Sequence, residues 1–228
     1  MTGEDKQQSQ TDRSLQYTLR RGRPTPSQAA EIDRSILSVA RALFLSQGYA
    51  ITSMEAVAAA AGVSKGTLYA RYSSKGDLFK AIVAERLKAW AASSSDVTFD
   101  PAFNLEQRLL QRANAILDAT GITEVRAFDR LISAEAGRFP ELAKDFYDHG
   151  FAAVVNSVKN DFETVGGDSV GAILDSAAVA RIFTAGLIGW FRIESTVGEV
   201  DEAQRRAFAG EMVALCMGSL ARHTSPAS

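Results

Sequence analysis

The segment 52–78, TSMEAVAAAAGVSKGTLYARYSSKGDL, constrains the fold of this chain more than any other part of the sequence. Its apolar residues recur at helical spacing, but capping and turn-forming residues interrupt them so often that only short helices fit. Thr52 and Glu55 have the spacing of a capping box, in which a hydroxyl and a carboxylate bond the first free amides of a helix. This pattern predicts a short helix over about 53–60.

A second short helix is predicted after a tight turn. Gly62 supplies the turn, and Ser64 can cap a helix over about 64–72 because its hydroxyl can accept a first-turn amide. A close crossing of two such helices needs a tiny residue at the contact and an apolar seal behind the turn. Ala58 and Val63 meet these two needs, so the segment predicts a helix-turn-helix.

The second of these helices carries hydroxyls and cations on its outer side. Such groups suit phosphate oxygens and base edges, as expected of a helix that enters the major groove of DNA. Gly66 lacks a side chain, which lets the backbone approach a duplex closely. For Ser64, Thr52 and Arg71 taken singly, a helix cap or a solvated face is an alternative interpretation. The outward set comprises Ser64, Lys65, Thr67, Tyr69, Arg71 and Tyr72.

The remaining sequence also predicts helices, so the fold class is all-α. Thr25 and Gln28 form another capping box, and Gly48 is placed to end the first helix. Ser74 and Asp77 repeat the spacing and open a fourth helix that runs to about residue 92. Apolar periodicity predicts the other helices over 26–47, 104–120, 122–136, 140–165, 176–197 and 201–222.

Charge is distributed unevenly along the chain. Between Arg20 and Lys88, eleven basic side chains stand against five acidic ones, whereas residues from 91 onward carry twelve basic and nineteen acidic side chains. A basic first third on an acidic remainder is expected when one module meets a polyanion and the other does not. The polar first residues, the single Cys216 and the lack of about 18 continuous apolar residues predict a cytoplasmic protein without a membrane partner.

Enzyme chemistry is hard to find in the sequence. His149 and His223 are the only histidines, and no His, Cys or carboxylate spacing resembles a metal site. The segment 62–67 contains Gly, Lys and Thr, but not in the order of a phosphate-binding loop. We therefore expect no catalytic residue, no metal and no cofactor.

Residues 61–78, AGVSKGTLYARYSSKGDL, resemble the DNA-binding domain of the TetR family of bacterial transcriptional regulators. The upstream run 36–54, ILSVARALFLSQGYAITSM, is similar to that family's first helix and its link to the second. Val57 and Tyr72 depart mildly from the family pattern, in which Ile and Phe are commoner. The stretch 128–150 resembles a C-terminal domain type found in a subset of these regulators.

The resemblance assigns DNA-binding roles to particular residues. Thr52, Tyr69, Tyr72 and Lys75 match positions that usually bind phosphates, and Ser64, Lys65, Gly66 and Thr67 match the start of the recognition helix, where base contacts concentrate. The basic run before the first helix is a candidate minor-groove arm, because arginine favours the negative potential of that groove. A solubilising tail is the alternative for this run, whose cations are Arg20, Arg21 and Arg23.

The resemblance also implies three regions: a flexible tail with the basic arm over 1–24, the three-helix DNA-binding domain over 25–75, and a helical domain over 76–228. The last region is joined through helix 4 and is expected to bind an effector and to dimerise. Bulky residues on helices that normally surround the family's ligand pocket are its candidate lining, with ordinary core packing as the alternative. They are Trp90, Phe128, Leu131, Phe146, Phe151 and Phe183.

The function implied is that of a sequence-specific regulator, a homodimer that binds a double-stranded DNA operator. Repression is the family's usual mode, with release from the operator by a small-molecule effector of unknown identity. A DNA-bound structural or cell-division factor with the same fold and no ligand is the alternative. A regulator predicts a footprint confined to one promoter, whereas the alternative predicts many scattered sites.

Overall fold

In the computed structural model, residues 25–94, 102–165 and 175–224 are described, and within them the regular secondary structure is entirely helical. The predicted all-α fold is thereby confirmed. In chain order the elements are α1 Pro26–Gln47, α2 Met54–Ala60, α3 Lys65–Tyr69, α4 Lys75–Ser94, α5 Leu105–Gly121, α6 Thr123–Glu135, α7 Pro140–Tyr147, a π-helix Asp148–Ala152, α8 Ala153–Val165, α9 Ser176–Glu194 and α10 Glu202–Thr224.

The caps of α1 and α4 follow the sequence pattern. The Thr25 hydroxyl accepts the amide of Gln28 at 3.3 Å, and the Gln28 side chain accepts the amide of Thr25 at 3.0 Å. At the start of α4 the Ser74 hydroxyl accepts the amide of Asp77 at 3.1 Å. The Asp77 carboxylate accepts the hydroxyls of Ser73 and Ser74, which lowers its pKa. Local hydrogen bonds therefore fix where both helices begin.

The predicted capping box of Thr52 and Glu55 is wrong. The cap of α2 is Ser53, whose hydroxyl accepts the amide of Ala56 at 3.1 Å. Thr52 is instead buried, with 1% of its surface exposed, and its hydroxyl donates to the carbonyl of Gly48 at 2.9 Å. Thr52 and Ser53 both carry a hydroxyl that can cap a helix, so the sequence alone does not distinguish them. Burial of Thr52 against the neighbouring core leaves Ser53 as the cap of α2.

Two predicted helices differ in extent from the structure. The helix predicted over 64–72 ends at Tyr69 and continues as turns at residues 70 and 71, where the carbonyl of Leu68 accepts the amides of both Arg71 and Tyr72. The helix predicted over 140–165 is not one α-helix, because a π-helical segment of five residues separates α7 from α8. Hydrophobic spacing alone does not reveal such an insertion.

The buried side chains form two apolar clusters. The first, here called the DNA-side cluster, joins α1 to α4 with residues of α6 and α7, including Phe128 and Leu142. The second, the C-terminal cluster, joins α5, α8, α9 and α10 around residues such as Phe162 and Phe183. The DNA-side cluster crosses the domain boundary predicted at residue 75, since short helices such as α2 and α3 offer little apolar surface for a core of their own.

Ion pairs reinforce the contact between α6 and the helices before it. Glu124 of α6 lies 3.3 Å from Arg41 of α1 and 2.7 Å from Arg86 of α4. Both arginines are at least three-quarters buried at their side chains. One carboxylate therefore links three helices, two of which belong to the DNA-side half of the molecule.

Candidate nucleic-acid interface

The turn between α2 and α3 is built by a glycine in the left-handed region. Gly62 has φ of +67°, and the amide of Val63 bonds the carbonyl of Ala58 at 3.0 Å. Behind the turn, Leu68 is fully buried in the DNA-side cluster. This arrangement fixes α3 by one face and leaves the opposite face to solvent.

The exposed face of α3 presents polar groups close to the backbone. Ser64, Lys65 and Gly66 are exposed, Thr67 is half-buried, and 44% of the surface of Tyr69 is exposed. A tyrosine ring so placed offers both an apolar face and a hydroxyl to a partner. The helix-turn-helix predicted from the sequence is therefore present with its second helix accessible.

Polar groups on this face are held by weak, replaceable contacts. The Ser64 hydroxyl accepts the amide of Thr67 at 3.1 Å and lies 2.8 Å from the Thr67 hydroxyl, so it caps α3. Lys65 lies 3.3 Å from Glu55 of α2, and both side chains are more than half exposed. An exposed pair of this kind contributes at most about 1 kcal/mol, so the Lys65 ammonium can exchange partners at small cost.

Lys75 occupies a different environment from the one predicted. Its Nζ donates to three backbone carbonyls, those of Tyr49, Ala50 and Thr52, at 2.8, 3.2 and 2.9 Å. The same ammonium lies 4.4 Å from the centroid of the Tyr49 ring. Burial lowers the pKa of Lys75, and the nearby Arg138 guanidinium lowers it further. In this structure Lys75 holds the link between α1 and α2.

Other residues of the predicted set face inward or pair within the protein. The Thr52 hydroxyl is committed to Gly48, as described above, and Tyr72 is half-buried against the DNA-side cluster, where burial raises its pKa. Arg71, which the sequence placed on the outer side of the recognition helix, lies beyond the end of α3 and pairs with Asp33 of α1 at 2.7 Å. The predicted minor-groove arm lies outside the described residues, and so do its three cations, Arg20, Arg21 and Arg23.

Two glycines, Gly62 in the turn and Gly66 in α3, provide a matched test of the turn. We expect Gly62→Ala to lower the free energy of unfolding by about 1 kcal/mol, because a side chain is strained at positive φ. Gly66→Ala should be neutral or stabilising, since a Cβ there meets only the Ser64 hydroxyl at 3.9 Å and alanine favours the helix. Urea titration followed by circular dichroism measures both, and equal stability of the two variants would contradict this description of the turn.

The six predicted pocket residues are divided between the two clusters. Trp90, Phe128, Leu131 and Phe146 belong to the DNA-side cluster, while Phe151 and Phe183 belong to the C-terminal cluster. The Trp90 ring meets Phe128 edge-on at 5.3 Å and Phe146 at 6.2 Å between centroids. Phe128 and Phe183 are almost completely buried. Their present role is packing, and the prediction that they bind a ligand stays a prediction.

A shallow cleft lies between two helices of the C-terminal cluster. It has a volume of about 420 Å³ and lies where the end of α5 meets the start of α10. Asp118 pairs there with Arg205 at 3.3 Å and with Arg206 at 2.9 Å. The cleft is lined mostly by these paired charges, unlike the apolar pocket expected from the sequence. Its lining comprises Asp118, Gly121, Ile122, Glu202, Arg205 and Arg206.

The last two helices leave apolar side chains uncovered. Ile182 and Ile193 of α9 are each 69% exposed, and Leu215 of α10 is 64% exposed. Within the described residues, α9 is also the one helix long and apolar enough to cross a membrane by length and composition, a weak criterion that core helices meet as well. Its inner face packs on α5 and α8 through residues such as Phe183 and Leu187.

Comparison with known families matches both halves of the chain. Residues 36–82 match the family described as bacterial regulatory proteins, tetR family. Residues 107–217 match the family described as the C-terminal domain of AefR-like transcriptional repressors. The first match covers the helix-turn-helix, and the second covers most of α5 to α10.

Two curated relatives are transcriptional regulators. The chain is 39% identical to the HTH-type transcriptional regulator AcrR of Shigella flexneri over 75 residues, which are 33% of this chain and 32% of that protein. It is 24% identical to the HTH-type transcriptional regulator SrpR of Pseudomonas putida over 110 residues, or 48% of this chain and 49% of that protein. The matches thus span from a third to a half of these relatives.

Solved structures resemble the chain over most of its length. A TetR-family transcriptional regulator of Mesorhizobium loti is 25% identical, with a TM-score of 0.63 over 86% of this chain and 98% of that one. The flavonoid-responsive regulator FrrA is 26% identical, with a TM-score of 0.64 over 87% of this chain and 100% of that one. The likeness therefore includes the C-terminal helices as well as the helix-turn-helix.

An exposed second helix after a glycine turn, on an all-helical body, defines a helix-turn-helix DNA-binding protein. With both halves of the chain matched, the particular kind of DNA-binding protein follows. The chain belongs to the TetR family of bacterial transcriptional regulators.

Proposed function

We propose that this regulator is a sequence-specific repressor, which binds a two-fold symmetric operator as a homodimer and leaves it when a small effector binds. The exposed polar face of α3 carries this proposal. A helix held by one buried leucine, with hydroxyls, a lysine and a half-exposed tyrosine on its free side, has the chemistry to read a major groove.

The proposed contacts come from α3, with support from the link behind it. Ser64, Lys65, Gly66, Thr67 and Tyr69 are the proposed DNA-binding residues, because they lie on the accessible side of the recognition helix. Lys75 and Thr52 are proposed to act through the position of α2 and α3, since their polar groups bond backbone carbonyls. Tyr72 and the arginines of residues 20–23 remain candidate phosphate contacts.

Homodimerisation is proposed through α9 and α10. Their exposed isoleucines and leucine form apolar surface that a second copy can cover. Dimerisation suits the function, because two recognition helices on one two-fold axis can meet half-sites one helical turn apart. The protein is proposed to act in the cytoplasm, where operator DNA is accessible.

The effector is proposed to bind in the C-terminal domain and to be largely apolar or aromatic. The similarity to a flavonoid-responsive regulator supports an aromatic class. Within the described residues, three buried side-chain oxygens on α5 and α9 have no hydrogen-bond partner, so a donor group of a ligand has candidate acceptors. They are Gln111 Oε1, Asn114 Oδ1 and Thr184 Oγ1.

Selection of bound fragments from genomic DNA tests the regulatory function. We expect the purified protein to retain fragments from one or a few promoters, each with an inverted repeat, and to release them when an aromatic ligand is added. Many scattered sites with no small-molecule response would instead support a DNA-bound structural or cell-division factor. Calorimetric titration in which only polar metabolites bind would contradict the proposed effector class.

A further inference from the structure

The corner between α6 and α7 reaches into the DNA-binding half of the molecule. Phe139, the residue before α7, lies with its ring 5.1 Å from the Tyr49 ring and 5.5 Å from the Phe79 ring. A Cβ built on Gly76 would lie 3.4 Å from the Phe139 ring, an ordinary van der Waals contact, so the ring lies directly against the start of α4. The aromatic side chain therefore touches both the α1–α2 link and α4.

The backbone holds this corner in place. The carbonyl of Glu135 accepts the amides of Arg138 and Phe139, each at 2.9 Å. Beyond the corner, Glu141 at the start of α7 pairs with Lys80 of α4 at 2.9 Å. The two amide hydrogen bonds hold the backbone of the corner, while the Glu141–Lys80 pair is about half exposed and adds little. A displacement of α6 and α7 therefore carries the backbone of Phe139 with it.

Tyr49 connects the corner to the helix-turn-helix. Its ring receives the Arg138 guanidinium at 5.0 Å and the Lys75 ammonium at 4.4 Å from the centroid. Lys75 in turn bonds the carbonyls of Tyr49, Ala50 and Thr52, the residues that lead into α2. A continuous chain of contacts thereby joins the corner to the residue that precedes the α2 cap.

We propose that Phe139 is a positioning residue for the DNA-reading helices: the α6–α7 corner sets the α1–α2 link through Tyr49 and Lys75, and the link sets α2 and α3. The proposal rests on the proposed function, because it assigns the contact through which the C-terminal domain acts on operator binding. It provides a short route from the C-terminal helices that uses α4 only at its first residue, Lys75, and does not run along the length of that helix. Such coupling needs two arrangements of the corner that DNA binding distinguishes.

Hydrogen exchange of the full chain without DNA tests the first step. We expect Phe139→Ala to raise exchange at the amides of 49–60 by at least about fivefold, the lower range of typical coupling effects. Phe146→Ala is the matched control, since Phe146 is a half-buried aromatic of the same cluster on α7 that meets Trp90 rather than Tyr49. Should Phe139→Ala fail to fold, Phe139→Leu and Phe146→Leu make the same comparison.

Two results would overturn the inference: no change at 49–60, or an equal rise in both variants, which indicates general loosening of the core. A second measurement uses the linkage between the sites. Binding of a selected genomic fragment should protect the amides of residues 137–139 and 141–142 in the unaltered protein and should not protect them in Phe139→Leu. If the unaltered protein retains no DNA, the proposed function fails. The exchange result at 49–60 still shows whether Phe139 positions the α1–α2 link and α2.

Discussion

Phe79→Ala is expected to lower the free energy of unfolding by about 3–5 kcal/mol, the usual cost of removing a buried phenylalanine. Phe79 is fully buried on α4, and its ring lies 5.5 Å from Phe44, 5.2 Å from Tyr49 and 5.5 Å from Phe139. These partners come from α1, from the link after it and from the α6–α7 corner. One truncation therefore removes contacts from α4 to α1, to the α1–α2 link and to the α6–α7 corner.

Urea denaturation monitored by circular dichroism measures this loss. Tyr69→Ala is the matched control, because it removes an aromatic ring of similar size from the exposed face of α3 and should change stability by no more than about 0.5 kcal/mol. Phe79→Leu should fall between the two, since it restores part of the buried volume. A loss below about 1 kcal/mol for Phe79→Ala would show that the DNA-side cluster does not depend on this aromatic contact.

The triple variant Ser64→Ala, Thr67→Ala, Tyr69→Ala is expected to weaken DNA binding by about a hundredfold while the protein keeps its fold. Each side chain that contacts DNA typically contributes about 1 kcal/mol or more, and three such losses amount to about two powers of ten in the dissociation constant. None of these three residues is buried, so the cost to the core is small, and loss of the Ser64 cap of α3 should cost about 1 kcal/mol of stability. The helical content of the folded protein should therefore stay close to that of the unaltered protein.

Fluorescence anisotropy with a labelled genomic fragment measures the affinity at a fixed salt concentration, since salt changes it strongly. The control is Ser157→Ala, Thr164→Ala, Tyr147→Ala, which removes the same residue types from the C-terminal half, including a tyrosine that is also 44% exposed. That variant should bind DNA normally. Equal affinity of the α3 variant and its control would place the DNA-binding surface elsewhere on the molecule.

Local features of the fold could be predicted from the sequence. The capping box of Thr25 and Gln28, the cap at Ser64 and the turn at Gly62 depend on residues a few positions apart, and these predictions are confirmed. The cap of α2 was placed one residue too early because Thr52 and Ser53 are both good caps. Only the burial of Thr52 in the folded chain distinguishes them.

Features that depend on tertiary contacts could not be predicted. The ammonium of Lys75 bonds carbonyls 23 to 26 residues earlier in the chain, and nothing in the spacing of the segment indicates that contact. A lysine at the start of a helix is equally suited to a phosphate when the sequence is considered alone. The position of Phe139 in the DNA-binding core was missed for the same reason.

The predicted pocket residues show a further limit of sequence reasoning. Large size and helical position select core residues and ligand contacts alike, since both need apolar surface on an inward face. The structure distributes the six candidates over two clusters, and the most deeply buried of them, Phe128 and Phe183, belong to different ones. A resemblance to the family indicates that a pocket is expected, while the packing of this chain decides which side chains are available to line it.

Chemical protection of guanine N7 on a selected operator tests the central claim most directly, because N7 lies on the floor of the major groove. Protein bound to the operator should shield guanines in two half-sites about 10 base pairs apart, or a multiple of that spacing, and the α3 triple variant should shield neither. Two results would contradict the claim that α3 reads the major groove. One is a fully bound complex in which the guanines stay unshielded. The other is shielding that survives removal of the three α3 side chains and extends evenly along the fragment.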